Sequence, residues 1–158
     1  MAELKVNTIG TIACHGEDMR LVLDKTYASA LAGLDGFSHI QILWWFSECD
    51  NPKNRSKLTE IKPYKNSPEV LGTFATRSPM RPNPIALDCV QITYIDHKNA
   101  VIGLAYIEAF DGSPVLDIKP YTPSLDRVEN PVVPEWCSHW PKCYEQSGNF
   151  DWESEMNS

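Results

Sequence analysis

The sequence predicts a mainly β domain: a small closed or nearly closed β-barrel with one short helix and an irregular aromatic C-terminal tail. Three observations predict it. Short runs rich in β-branched and aromatic residues recur along most of the chain, Pro-, Gly- and Asp-containing turns separate them, and only one stretch has helical spacing. Closure is expected because so many short strands would otherwise leave an unpaired edge.

Taken in order, "KVNTIGTIAC" reads as a first strand, its Gly10 suited to a bend or bulge. "MRLVLDKTYASALAGLDGF" opens with alternation around Leu21 and Leu23, and the spacing of Tyr27, Ala30, Leu31 and Leu34 then predicts a short helix ended by Gly36. "SHIQILWWFSE", Ser38 to Glu48, is dense in strand formers and reads as a central, buried strand. Polar, Pro-broken sequence from Cys49 to Pro68 reads as a connection. "VLGTFATR", "IALDCVQITYID" and "AVIGLAYIEAFDG" are three further strand candidates, the last two forming a hairpin about "DHKN". "SPVLDIKPYTPSLD" adds a strand interrupted by prolines. The division expected is a barrel over residues 1–130 and a Pro/Trp-rich tail over 131–158, packed on the barrel or on a partner subunit.

With 158 residues, one core of reasonable size is expected. No apolar run approaches the roughly 20 residues of a bilayer span, and "MAELKVNTIG" lacks a secretory core, so a cytoplasmic protein without membrane contact is expected. Five cysteines at irregular spacing fit free thiols in a reducing compartment. A net charge of -7 argues against generic binding of polyanions. The densest cations, Lys53, Arg55, Lys57, Lys62 and Lys65, read as a solvated loop.

Three stretches carry candidate chemistry. In "GTFATRSPMRPNPIAL", Pro79, Pro82 and Pro84 hold the preceding residues near extended geometry, so the loop is pre-organised. Arg77 and Arg81 present planar donor forks suited to carboxylate or phosphate, and Asn83 adds a donor and an acceptor; the same arginines would equally serve as ties to loop carbonyls. In "EAFDGSPVLDIKPY", Asp117, Lys119 and Tyr121 alternate and so share one strand face, either the wet side of a sheet or the wall of a polar pocket. In "GLDGFSHIQ", His39 lies between apolar residues, as a structural or a binding group.

Together, "GLDGFSHI", "GTFATRSPMRPNPIAL" and "DGSPVLDIKPY" closely resemble the signatures of the TrmO (TsaA-like) family, over about Val6 to Asp126. Characterised members of that family methylate N6-threonylcarbamoyladenosine in tRNA with S-adenosylmethionine. The resemblance implies a β-barrel unlike the usual methyltransferase fold and a homodimer with cofactor pockets near the subunit interface. The glycines agree, since none forms the G-x-G core of a dinucleotide-type fold. Carried over by motif, the resemblance implies cofactor contacts from Ser47, Glu48, Arg77, Leu87, Asp111, Gly112, Ser113 and Pro114. It leaves proton handling to Asp117, Lys119 or Tyr121, and acceptor binding to Arg81, Asn83 and His39.

The chain departs from the family pattern in ways that bear on the substrate. "IACHGEDMRL" lacks the Pro-x-Gln segment, Ser47 replaces a histidine, and Ala86 replaces a glycine. The chain is expected to do without the additional C-terminal domain of longer members, and "DWESE" would repel a tRNA backbone. The expected acceptor is therefore tRNA or a smaller carboxylate-bearing molecule, with a non-catalytic S-adenosylmethionine or nucleotide sensor as the alternative. Cys137, His139 and Cys143 lack the paired spacing of a zinc site, so no metal is expected; Trp136, Trp140 and Trp152 read as a cover for apolar surface.

Overall fold

Period-two alternation builds a closed, six-stranded antiparallel barrel. The structure is a computed structural model, and residues 1–157 are described. Strands β1 (Gly10–His15) and β2 (Asp18–Leu23) form a hairpin turned by Gly16 and Glu17. After them come β3 (His39–Trp45), β4 (Thr59–Ile61), β5 (Val70–Gly72), β6 (Ile85–Asp96), β7 (Val101–Leu104) and β8 (Pro114–Pro120). The barrel order is β1-β2-β7-β6-β3-β8, with β8 returning to β1, while β4 and β5 form a separate two-stranded sheet.

Central β3 pairs with both β6 and β8, and its side chains alternate between half-buried and buried. Ile40, Ile42 and Trp44 point inward to join Ile12, Leu21, Val90, Ile102 and Val115 in the core. Trp44 brings its indole N–H into that interior, where the Asp88 carboxylate accepts it, as a buried donor requires. Gly10 serves close approach rather than a bulge, because a Cβ there would stand 2.4 Å from the Val22 carbonyl oxygen.

Chain contacts divide the described residues into two compact units. The first, Met1–Asp50 with Asn83–Arg127, contains the barrel; the second joins Asn51–Pro82 to the chain after Val128. Within the second unit the tail closes on Tyr64, whose ring stacks on Trp136 (centroids 5.5 Å apart) and meets the edge of Trp140 at 5.1 Å. Trp140 in turn meets Trp152 at 5.2 Å, and Tyr64 pairs with Met156 in an isolated antiparallel bridge.

Several elements are shorter than their sequence patterns. The stretch around Tyr27 and Leu31 is a 3-10 turn, Lys25–Leu31, started by Asp24 accepting from the Thr26 amide. "VLGTFATR" is strand only over β5, because Thr73 and Thr76 spend their hydroxyls on the carbonyls of Lys57 and Thr73 and bend the chain into a second 3-10 turn. The presumed connection after Cys49 folds as a helical turn, Pro52–Arg55, and then β4. The tail carries short helical turns at Glu135–Cys137, Tyr144–Ser147 and Trp152–Glu155.

Candidate functional site

On the barrel, three features expected to matter are held by unlike means. After β3 the chain turns through Ser47–Cys49, anchored where the Phe46 amide donates to the Pro84 carbonyl at 2.8 Å, and this leaves Ser47 and Glu48 exposed. Leu87 lies on β6 opposite Leu43 and is 46% exposed, an apolar side chain on the outer face. The Asp111–Pro114 turn is knitted to β1. Gly112 has φ of +82° and donates to the Ile12 carbonyl at 2.7 Å, the Ile12 amide returns to Ser113, and Asp111 accepts from the Cys14 amide at 2.9 Å. The Ser113 hydroxyl is buried and donates to the Phe110 carbonyl at 2.7 Å. The side chains of this turn thus hold its shape, and the exposed Gly112 offers backbone with open space where a Cβ would stand. Burial first, and then the nearby Asp111 charge, push the Cys14 thiol up, keeping it protonated.

Asp117 and Lys119 stand two apart on the exposed face of β8 and pair with each other at 3.0 Å. The second Asp117 oxygen accepts from the Ile118 amide at 2.9 Å, so the carboxylate is held on both sides. Tyr121 lies just beyond the strand end, and its amide donates to the His39 carbonyl at 3.0 Å. The two rings meet edge-on with centroids 6.4 Å apart, and the Ser38 hydroxyl lies 2.7 Å from His39 Nδ1. The structure therefore gives two pairs, Asp117 with Lys119 and His39 with Tyr121, where the sequence offered one row and a separate histidine.

In the second unit, the Arg-Pro loop is braced from within and from the preceding segment. Arg81 Nη1 donates to the carbonyls of Thr76 and Ser78, each at 3.1 Å, which is the structural part that a guanidinium can play. Arg77, from the same loop, is exposed. The Ser78 hydroxyl donates to Glu60 at 3.2 Å and accepts from the Met80 amide at 3.3 Å, while the other Glu60 oxygen pairs with Lys57 at 3.0 Å. Arg55 Nη1 closes the end of the loop on the Pro82 carbonyl at 3.1 Å. Asn83, exposed, is the first residue of the returning barrel segment.

Sequence reasoning missed Glu60 and Arg55. Both sit in what reads as a solvated polar stretch, and the one local signal is that Asn51 and Pro52 start a helical turn, Asn51 accepting from the Asn54 amide, which places Arg55 at its end. Among the described residues, no group of three or more His, Cys, Asp or Glu is arranged to hold a metal. Nor is any described helix long and apolar enough to cross a membrane.

Comparison with known proteins places this arrangement among relatives. The sequence profile of the tRNA-methyltransferase O N-terminal domain matches residues 9–127. An S-adenosyl-L-methionine-binding protein of Archaeoglobus fulgidus is 38% identical over 102 residues, covering 65% of this chain and 68% of its own. The tRNA (adenine(37)-N6)-methyltransferase of Escherichia coli is 35% identical over 121 residues, covering 75% of this chain and 51% of its own. Among solved structures, a crystal structure of TrmO superposes with a TM-score of 0.65 at 29% identity, covering 84% of this chain and 61% of that one. The chain thus spans about half the length of the bacterial enzyme.

Proposed function

Since the chain belongs to the tRNA-methyltransferase O N-terminal-domain family, we propose that it is an S-adenosylmethionine-dependent methyltransferase of the β-barrel type, working in the cytoplasm. The observation that carries the proposal is that the profile match includes both the Arg-Pro loop and the Asp111–Pro114 turn, the two stretches richest in candidate binding groups.

The residues present fit the cofactor by their chemistry. A guanidinium fork at Arg77 suits its carboxylate, and the exposed Glu48 carboxylate suits its ammonium or ribose hydroxyls. Within the barrel unit, exposed Leu87 and the open backbone at Gly112 suit a flat aromatic base, and Ser47, Asp111, Ser113 and Pro114 complete or shape that unit's own set. When bound, the cofactor supplies an activated methyl group on a sulfonium. The work left to the protein is to align the acceptor and to take a proton from its nitrogen.

Within the Asp117, Lys119 and Tyr121 set we assign proton acceptance to Asp117, with Lys119 holding its carboxylate and Tyr121 acting beside His39 in acceptor binding. Arg81 holds the loop through Nη1, which carries two carbonyls, and its remaining guanidinium donors suit the acceptor carboxylate. Asn83 remains an acceptor contact. The acceptor is an adenine bearing a carboxylate, such as threonylcarbamoyladenine, in tRNA or as a smaller molecule.

One observation favours a second reading, a binding module without turnover. β1 and β2 are joined by Gly16 and Glu17 alone, so the hairpin has no room for the Pro-x-Gln segment that the family resemblance leads one to expect there. Mass spectrometry separates the two readings: purified protein, methyl donor and either tRNA or N6-threonylcarbamoyladenosine nucleoside are incubated, and products are analysed for a gain of one methyl group. Methylation of either acceptor supports the enzyme. Binding of the donor with neither acceptor modified supports the module.

A further inference from the structure

The second unit is divided by charge in a way that neither the family match nor the fold explains. Asn51–Pro82 carries seven lysines and arginines against two carboxylates, Glu60 and Glu69, a net side-chain charge of +5. Residues 128–157 carry one lysine, Lys142, against six carboxylates, a net charge of -5. The two segments fold against each other, so the unit as a whole is neutral while the complete chain carries -7.

The contact is specific. The Lys65 amide donates to the Glu155 carbonyl at 2.9 Å, and the Asn157 amide donates to the Pro63 carbonyl at 3.0 Å. The Asn157 side chain donates to the Lys62 carbonyl at 2.8 Å. The end of the acidic helical turn Trp152–Glu155 is thereby laid along the backbone of the Lys62–Lys65 stretch. Glu155 locks the tail to itself, one oxygen 2.9 Å from His139 Nε2 and the other accepting the Trp140 indole N–H at 3.0 Å, while Trp136 and Trp140 clasp Tyr64.

We propose that the tail is a built-in counter-charge that covers the Lys62–Lys65 stretch of the basic Asn51–Pro82 segment, cancels the segment's field and excludes a polyanionic nucleic-acid backbone from it. Affinity for tRNA comes chiefly from neutralising phosphates with lysine and arginine, and a segment of net +5 is an adequate electrostatic footprint for that. A tethered acid segment competes at high effective concentration and cancels it. The inference deepens the proposed function, on which it rests for the acceptor's class: with the tail docked, this chain takes a free, carboxylate-bearing nucleoside or similar small molecule rather than tRNA.

Fluorescence anisotropy with an unmodified tRNA transcript tests it, at several salt concentrations, on three proteins: the full chain, the triple variant Glu129→Gln/Glu135→Gln/Glu153→Gln, and a chain ending at Arg127. The three glutamates are exposed, so their neutralisation leaves the aromatic clasp intact and serves even if the shortened chain fails to fold. The full chain is expected to bind no tighter than the non-specific range, about 1 to 100 μM, and the triple variant at least tenfold more tightly with a steeper fall as salt rises. Sub-micromolar binding by the full chain, or equal affinity of full chain and triple variant, would overturn the proposal. Titration of the full chain with S-adenosylhomocysteine, run alongside, separates the two ideas: no binding there defeats the methyltransferase reading, while the tRNA comparison still decides the role of the tail.

Discussion

At the scale of single residues, the two arginines of the Arg-Pro loop look alike in sequence and are used differently. Arg81 donates through Nη1 to the loop's own carbonyls, and Arg77, which is exposed, is the proposed grip on the cofactor carboxylate. Arg77→Lys keeps the charge but not the bidentate fork, so S-adenosylhomocysteine affinity should fall by about tenfold, near 1.4 kcal/mol, as read by calorimetry. Glu60 acts on the same loop through Ser78, whose hydroxyl in turn receives the Met80 amide. Glu60→Ala and Ser78→Ala should therefore weaken cofactor binding by similar factors, and the double variant by no more than either; independent, additive losses would show that the two residues do not act as a unit. The candidacy of Arg77 and Arg81 was legible in the sequence, but whether Arg81 would tie the loop was not, because that depends on where carbonyls three and five positions back come to lie. Glu60 was missed because its tie to the loop, Ser78, lies 18 residues on, and its neighbour Lys57 reads only as part of a polar connection.

Among the elements, β3 and β6 were legible because burial on one face leaves a period-two imprint, interrupted at Asp88 only to meet the Trp44 indole. β5 was over-read: its β-branched Thr73 and Thr76 look like strand residues, yet their hydroxyls capture nearby carbonyls and end the ladder. The tail was legible as aromatic, but not as a partner of Tyr64, because contacts between residues so far apart leave no local period. Its docking should depend on acidity. The Glu155 carboxyl is held below its ordinary value, first by the hydrogen bond with His139 and then by that from Trp140. A depressed carboxylate contributes stability that is fully present above its unfolded-state value and is lost as pH falls through the lower folded-state one. Tryptophan fluorescence should thus report loosening of the tail only below the ordinary glutamate range, and Glu155→Gln should abolish that acid transition; an unchanged transition in the variant would assign it to other groups.

For the whole molecule, the expectation of a closed barrel was met, whereas a second unit joining Asn51–Pro82 to the chain from Val128 was not foreseen. Exposed Ile85 and Leu87, side by side with half-buried Leu43 and Trp45 on the outer face of β3 and β6, leave apolar surface on the barrel that suits a two-fold partner. Sedimentation equilibrium should give twice the 17.9 kDa chain mass, and Ile85→Glu should yield monomer; a wild-type monomer at micromolar concentration would refute the dimer. The proposal that the chain binds S-adenosylmethionine is tested most directly by isothermal titration of the purified full chain with S-adenosylhomocysteine. The account predicts saturable binding, one site per chain, with a Kd below about 1 mM, lost in Arg77→Ala. Absence of heat at millimolar ligand, or equal binding by Arg77→Ala, would contradict it.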